Sequence, residues 1–104
     1  MGIAMVKKLK PVHPGEILRE EFMAPYHLNP HRLALALRVP APAIYEIVHE
    51  ERGVSTEMAL RLGRAFGTTP EFWANLQLHF DLEVARDREQ ARVNEEVRPI
   101  AIRA

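Results

Sequence analysis

Histidines and carboxylates occur in this chain at spacings that approach those of a metal site. Residues 49–53, HEERG, begin like the HExxH zinc motif but end in glycine where that motif needs its second histidine. His13 and Glu16 lie three residues apart, and His79 and Asp81 could add ligands if the fold brought the two pairs together. A capping histidine and surface carboxylates explain these residues as well. Because no nucleophile stands beside a base and no glycine-rich phosphate loop is present, we expect no catalytic residue, no metal and no cofactor.

Basic side chains indicate a second kind of chemistry, which is binding to the phosphates of DNA. Arg32 and Arg38 flank a short helical segment, and arginines so placed fix the register of a duplex without reading its sequence. Tyr45 could reach a phosphate from the exposed side of the next helix. The alternative for each arginine is a solvated helix face, and the alternative for the tyrosine is a cover over its neighbours. Three further cations lie in the N-terminal arm, namely Lys7, Lys8 and Lys10.

The elements that would position these residues lie in residues 29–48. Asn29 is a favourable N-cap and Pro30 suits a first helical position, so a helix is predicted to begin here. Pro40 stops this helix because proline disfavours helical geometry in the residue before it, and a second helix starts near Ala41. Each helix is expected to bury one apolar face, formed by Leu33, Ala34 and Leu37 in the first and by Ile44, Ile47 and Val48 in the second. Two helices this short, joined by a brief turn, form a helix-turn-helix whose second helix can enter a DNA major groove.

Helical periodicity elsewhere predicts an all-α fold with three further helices. One runs from about Pro14 to Met23 and is expected to end at Pro25. Another follows Ser55 or Thr56 as N-cap and ends at Gly67. The last begins with the cap, proline and acidic residue of Thr69-Pro70-Glu71 and runs to roughly Ala91.

This last helix is apolar on more than one side, which indicates more than one partner. Three residues of one stripe are expected to close the core, namely Phe72, Leu76 and Phe80. A second stripe is expected to form a homodimer interface, and its residues are Leu78, Leu82 and Ala85. Trp73 lies beside the first stripe, where it is either a core residue or an interface anchor.

Composition restricts the function classes further. The 104 residues suffice for one domain, and 14 basic and 14 acidic side chains give zero formal charge, which argues against a strong general nucleic-acid binder. The absence of cysteine excludes disulfides and fits a cytoplasmic protein, and no run is apolar enough for a membrane span. We expect a flexible basic arm over residues 1–12, the helix-turn-helix domain over 13–91 and a tail over 92–104. Residues 97–102 could form a short strand.

Four segments together resemble the HigA-like antitoxins, also called the virulence-associated protein I family, within the Xre-type helix-turn-helix proteins. They are HPGEIL-REEF, LALALRVP-APAIYEIV, STEMALRLGRAFGTTPEFWANLQ and FDLEVA, and the similarity extends from about Val12 to Ala85. The third segment is the most specific. The resemblance implies a five-helix domain of the Xre or lambda-repressor type with a C-terminal extension. It also implies a dimer that silences a cognate HigB-like toxin, a ribosome-dependent messenger-RNA ribonuclease of the RelE type, and represses its own operon.

The resemblance also indicates which residues would face the operator. Aligned on Ile44, the base-facing positions are Ala41, Pro42, Ala43, Glu46 and His49, and Arg52 is a candidate phosphate contact. Family members often carry Asn, Gln or Arg at these positions, whereas alanine and proline offer only apolar contacts to a thymine methyl. A carboxylate here could accept from a cytosine amino group. Glu50 occupies the place of the glycine that usually ends this helix.

Three other functions remain open at this stage. One is a stand-alone helix-turn-helix transcriptional regulator that has no toxin. Another is a toxin-binding module with weakened operator recognition, which the depleted second helix favours. The last is metal-dependent hydrolysis, which requires a bound metal.

Overall fold

The computed structural model describes residues 10–101, and throughout this range the regular structure is helical, with no strand. The first helix, α1, is α-helical over Pro14–Ile17, π-helical over Leu18–Met23 and 3-10 helical over Ala24–Tyr26. Four α-helices follow: α2 Pro30–Leu37, α3 Ala41–Val48, α4 Thr56–Phe66 and α5 Pro70–Glu96. The all-α, five-helix prediction is confirmed. The predicted contacts of Lys7 and Lys8 lie outside the described residues, whereas Lys10 is exposed.

Side-chain caps begin three of these helices at the predicted residues. The Asn29 side chain accepts from the backbone N–H of Arg32 at 2.7 Å. Ser55 Oγ accepts from Met58 N at 3.1 Å, which decides between the two predicted caps of α4. Thr69 Oγ1 accepts from the first turn of α5 in the same way. Each bond satisfies an amide that has no partner within its own helix, so the helix starts are determined locally.

The end of α1 differs from the prediction, because the helix continues through Pro25 to Tyr26 instead of stopping at the proline. A wide turn causes the difference. The amide of Ala24 donates to the carbonyl of Arg19, five residues back. Such a turn brings residues five apart towards one side, and both Leu18 and Met23 are buried.

One apolar core holds the helices together. It contains Leu33 and Leu37 of α2 and Ile44, Ile47 and Val48 of α3, all buried as predicted. Leu62 of α4 and Trp73 of α5 have no exposed surface. Full burial of a side chain of this size stabilises a fold by about 1.5–3 kcal/mol, so the two short helices depend on α1, α4 and α5 for their stability.

The last helix is longer than predicted and ends at Glu96 rather than near Ala91. Local side-chain pairs extend it, because Gln90 donates to Asn94 one turn on and Arg92 pairs with Glu89. Residues 97–101 follow without regular structure, so the predicted strand does not form over the part of it that the structure describes. A search of the described helices for one long and apolar enough to cross a membrane finds none.

Candidate DNA-binding surface

The turn between α2 and α3 sets the orientation of the second helix. α2 ends at Leu37 because Arg38 adopts a left-handed conformation with φ 61°, and the amide of Val39 donates back to Ala34 at 3.1 Å. Pro40 then serves as the N-cap of α3 in an extended conformation. The chain therefore reverses over three residues and α3 packs against α2 across the core. The predicted helix-turn-helix geometry is present.

The exposed side of α3 carries most of the predicted base-facing residues. Pro42, Tyr45 and His49 are exposed, and Ala41 and Glu46 are half-buried. Ala43 is the exception, because only 7% of it is exposed and it belongs to the core. The prediction that Ala43 faces bases is therefore wrong. In a helix, residues four apart share a face, and position 43 shares that of the fully buried Ile47.

Glu46 and Arg52, predicted separately as a base contact and a phosphate contact, bind each other. Arg52 Nε donates to Glu46 Oε1 at 2.8 Å, and Arg52 Nη2 lies 2.7 Å from the same oxygen. The two side chains remain 41% and 52% exposed. The pair thus carries no net charge, which removes much of the repulsion that a lone carboxylate would meet at a phosphate backbone.

Arg32 and Arg38 are exposed and lie at opposite ends of α2. Neither guanidinium forms an ion pair within residues 10–101, where the arginines in salt bridges are Arg19, Arg52, Arg61 and Arg92. An arginine without an intramolecular partner loses no existing bond when it binds a phosphate. Of the predicted arginine contacts to phosphate, Arg32 and Arg38 are therefore available, whereas Arg52 is paired with Glu46.

Two arginines that the sequence did not single out hold the ends of the helix-turn-helix. Arg61 Nη1 donates to the carbonyl of Leu37 at 2.8 Å, at the end of α2, while Glu57 holds the same guanidinium at 3.0 Å. Arg19 Nη1 donates to the carbonyl of Val48 at 2.5 Å, at the end of α3. Carbonyls at a helix end lack intrahelical partners, so each arginine satisfies one and ties the motif to α4 or α1. Because both contacts cross between helices, no local sequence signal reveals them.

Arg19 is itself held by carboxylates on both sides. Its Nε donates to Glu20 at 3.0 Å and its Nη2 lies 3.6 Å from Glu50. The hydrogen bond with Glu20 is the largest cause that raises the pKa of Arg19 above its ordinary value; burial opposes it, and the charges of Glu20 and Glu50 add to the rise. The end of α3 is thus held by a cation, since arginine stays protonated in proteins.

The start of α1 packs directly against α3. His13 Nδ1 accepts from the amide of Gly15 at 2.8 Å, which confirms the capping role, and its ring meets Phe80 edge-on at 4.8 Å. Burial lowers the pKa of His13, against weaker opposing charges on Glu50 and Asp81. Gly15 is so close to α3 that an added Cβ would lie 1.8 Å from the Ile47 carbonyl oxygen. Glycine at this position is what allows α1 to support the second helix of the motif.

The two stripes of α5 separate as predicted, with one change. Leu76 and Phe80 are partly buried, but 38% of Phe72 is exposed, and the place it was expected to fill in the core belongs to Trp73. Trp73 Nε1 donates to Thr68 Oγ1 at 2.8 Å, so the tryptophan is a core residue and not an interface anchor. The second stripe is exposed and has no cover among residues 10–101. It consists of Leu78, 56% exposed, Leu82, 42% exposed, and the exposed Ala85.

The histidines and carboxylates considered as metal ligands do not assemble. Over residues 10–101 no group of three or more potential ligands is placed to hold a metal ion. His79 instead lies 3.7 Å from Glu83, one turn along α5. The groups that this surface displays are the exposed arginines of α2 and the outer side of α3, which are suited to binding.

Comparison with known proteins agrees with this architecture. No family model matches the chain. Virulence-associated protein I of Dichelobacter nodosus is 48% identical over 80 residues, which are 77% of this chain and 74% of that protein. Antitoxin HigA-1 of Vibrio cholerae is 38% identical over 84 residues, 80% and 78% of the two chains. The solved structure of Pseudomonas aeruginosa antitoxin HigA with the higBA promoter is 45% identical with a TM-score of 0.86, and the match covers 88% of this chain and 99% of that one.

The fold and the displayed α3 define a helix-turn-helix protein of the Xre type. Virulence-associated protein I and antitoxin HigA-1 narrow this class to one family, because the similarity covers more than two thirds of each of these relatives. The chain belongs to the family of HigA-like antitoxins and virulence-associated protein I.

Proposed function

We propose that this protein is the antitoxin of a type II toxin–antitoxin pair, which neutralises a HigB- or RelE-like messenger-RNA-cleaving toxin and represses its own operon by binding DNA. The display of α3 on the outside of a helix-turn-helix carries the DNA-binding half of this proposal. The solved structure of Pseudomonas aeruginosa antitoxin HigA with the higBA promoter has the same fold. It supports both the antitoxin role and the binding to DNA. The protein would act in the cytoplasm as a binding protein and not as an enzyme.

Operator binding would use two kinds of contact. Arg32 and Arg38, which are exposed at opposite ends of α2, would neutralise phosphates, and Lys7, Lys8 and Lys10 of the arm would add charge. The exposed side of α3 would enter the major groove with Pro42 and Glu46 towards base edges. Ala43 has no part in this contact because it is buried.

A homodimer would double this contact. The uncovered stripe of Leu78, Leu82 and Ala85 lies on α5, which packs on α4 and α1 rather than on the reading side of α3. Pairing through α5 would therefore leave both copies of α3 free. Two-fold pairing of helix-turn-helix domains matches two half-sites and adds the free energies of two contacts.

The toxin would bind outside α3, on the N-terminal arm, α1 or the C-terminal tail. Binding at any of these places leaves the groove contact intact, so one dimer could hold toxin and operator together. We further propose that residues 1–12 and 92–104 act as an arm and a tail around the domain of residues 13–91, although α5 carries the helix into the tail as far as Glu96.

The direct test of the antitoxin half is co-expression with the product of the neighbouring gene. The expected result is that the tagged protein retains the toxin in a pull-down and restores growth to cells in which the toxin alone arrests it. A neighbour that neither binds nor arrests growth would contradict this half and would favour a stand-alone regulator. Unrelated helix-turn-helix protein at equal expression is the control for non-specific rescue.

A toxin-binding module with weakened operator recognition is the second candidate. It is favoured by the composition of α3, whose first residues Ala41 and Pro42 have no side-chain hydrogen-bonding group. The affinity of the protein for promoter DNA and for random duplexes, measured as the salt concentration is raised, distinguishes this candidate from a repressing antitoxin. Specific repressors bind their sites about 10³–10⁷ times more tightly than random DNA, so equal affinities would support the weakened module.

A further inference from the structure

The reading side of α3 carries a hydrogen-bond acceptor whose charge is already balanced. Arg52 meets Glu46 on a single oxygen, Oε1: Nε donates a hydrogen bond to it at 2.8 Å, and Nη2 forms an ion pair with it at 2.7 Å. Within residues 10–101, Glu46 Oε2 has no hydrogen-bond partner, and 41% of the side chain is exposed. One carboxylate oxygen is therefore fixed by the protein and the other faces outward.

We propose that Glu46 Oε2 accepts a hydrogen bond from the exocyclic amino group of a cytosine in the major groove, with Arg52 as the positioning residue. The proposal rests on the proposed function, because it assigns a base to the surface that would face the operator. It makes Glu46 the residue that determines specificity at one position of each half-site.

The chemistry of the base edges selects cytosine. Cytosine presents its N4 amino group as a donor in the major groove, whereas adenine presents the N6 donor beside the N7 acceptor. An ionised carboxylate can only accept hydrogen bonds. It could accept from adenine N6, but it has no donor for the adjacent adenine N7, which would lose its hydrogen bond. Guanine and thymine present acceptors at this edge and would repel the carboxylate.

The geometry of Arg52 removes the usual objection to an acidic residue at a DNA surface. A lone carboxylate would be repelled by the phosphates on both sides of the groove, but the bonded pair has no net charge. Arg52 lies in the loop after α3, so its hydrogen bond and ion pair to one oxygen also restrict rotation of the Glu46 side chain. A side chain held in one orientation loses less conformational entropy when it binds a base.

The neighbouring residue on α3 complements this contact. Pro42 lies one helical turn before Glu46, on the same side of the helix, and is exposed. Its ring can only make apolar contacts, which suits the methyl group of a thymine. The reading side thus combines an acceptor with an apolar surface rather than the amide or guanidinium groups that bind purines.

Selection of binding sites from randomised duplexes tests the proposal with the full-length protein. The wild type should enrich a site with cytosine at one position of each half-site, preferred by about tenfold over the other bases, a typical effect of one mismatched pair. Glu46→Gln should lose the preference for cytosine at that position, because the group turned to the base becomes an amide N–H donor while Oε1 stays on Arg52. Such a donor cannot accept from the cytosine amino group and bonds acceptors such as guanine O6 or thymine O4 instead. Glu51→Gln is the matched control, since it removes the same charge from the adjacent exposed loop and should leave the site unchanged.

Two further measurements test the two side chains separately. Replacing the selected cytosine by a pyrimidin-2-one nucleotide, which lacks the amino group, should weaken wild-type binding about tenfold and leave Glu46→Gln unaffected. Arg52→Gln should reduce the preference for cytosine, whereas Arg98→Gln, an equal loss of charge in the tail, should not.

The outcomes separate this proposal from the function on which it rests. An enriched site that is identical for the wild type and Glu46→Gln would overturn the cytosine contact and leave the repressor intact. No enriched site for the wild type would overturn operator recognition itself, and the base contact with it. Loss of the preference in Glu51→Gln as well would show that charge alone, and not the oriented oxygen, determines the site.

Discussion

Substitution of Gly15 by alanine tests how α1 supports α3. The added Cβ would lie 1.8 Å from the carbonyl oxygen of Ile47, whereas real Cβ atoms essentially never approach another heavy atom within 3.0 Å. The obstacle is a backbone carbonyl in the last turn of α3, on its buried side, so no side-chain rotation relieves the contact. The two helices would have to separate, and the contacts of Leu18, Ile44 and Ile47 in the core would loosen with them.

The size of the effect follows from two opposing contributions. Forcing one extra carbon into a packed site costs about 1–3 kcal/mol, and a backbone obstacle places this variant at the upper end. Alanine is favoured over glycine in a helix by up to about 1 kcal/mol, which offsets part of the cost. We therefore expect the free energy of unfolding to fall by about 2 kcal/mol and the melting temperature by about 10 °C.

Urea denaturation followed by circular dichroism measures this change. Gly53→Ala is the matched control, because the atoms nearest its Cβ belong to the amide group of Gln77 at 2.8–2.9 Å. That side chain can move away from the added carbon at the cost of the hydrogen bond that it accepts from Val54 N. The reasoning would be refuted by a loss of stability in Gly15→Ala no greater than that in the control. The same result would show that α1 does not fix the position of α3.

Three further predictions concern the cap, the end of α3 and the assembly. His13 has its pKa lowered by burial and accepts a hydrogen bond while neutral, so the folded state binds fewer protons than the unfolded state below about pH 6.5. The stability that neutral His13 contributes is complete above that pH and is lost as the pH falls. Urea titrations at pH 7.5 and 5.5 should therefore show that the free energy of unfolding falls less in His13→Asn than in the wild type, because asparagine can still cap the helix but does not titrate. Glu50 adopts a left-handed conformation with φ 63°, which glycine tolerates better than other residues. Both Glu50→Gly and Glu50→Ala lose the ion pair with Arg19, so Glu50→Gly should have the higher free energy of unfolding, by about 1 kcal/mol in urea denaturation. Leu82→Asp should sediment as a monomer where the wild type sediments as a dimer, and Leu60→Asp, at an even more exposed leucine of α4, should remain dimeric. A monomeric wild type would refute the α5 interface.

The sequence predicted those features that neighbouring residues determine. The starts of α2, α4 and α5 follow from a cap at Asn29, Ser55 or Thr69 that bonds to the next turn of its own helix. The buried faces of α2 and α3 follow from the spacing of their leucines and isoleucines. In both cases the energetic cause acts within one or two helical turns, so the sequence pattern is sufficient.

Features that depend on contacts between helices were missed. The family resemblance assigns Ala43 to the reading side, although its four-residue spacing from the buried Ile47 puts it on the inward face of α3. The bonds from Arg19 and Arg61 to helix ends join residues 29 and 24 positions apart. The ion pair between Arg52 and Glu46 joins a loop to a helix. The sequence predicted two separate DNA contacts, whereas the two side chains form one pair without net charge.

The most direct test of the central claim is whether α3 meets DNA in the complex. The chain has no cysteine, so Pro42→Cys and Val93→Cys each provide a unique attachment point for a photoreactive benzophenone. With the duplex upstream of the operon, illumination should cross-link the position 42 probe to bases of the major groove, whereas the position 93 probe on α5 should give little cross-linking. Equal operator affinity with no cross-link from position 42 would contradict the assignment of α3 as the helix that reads DNA.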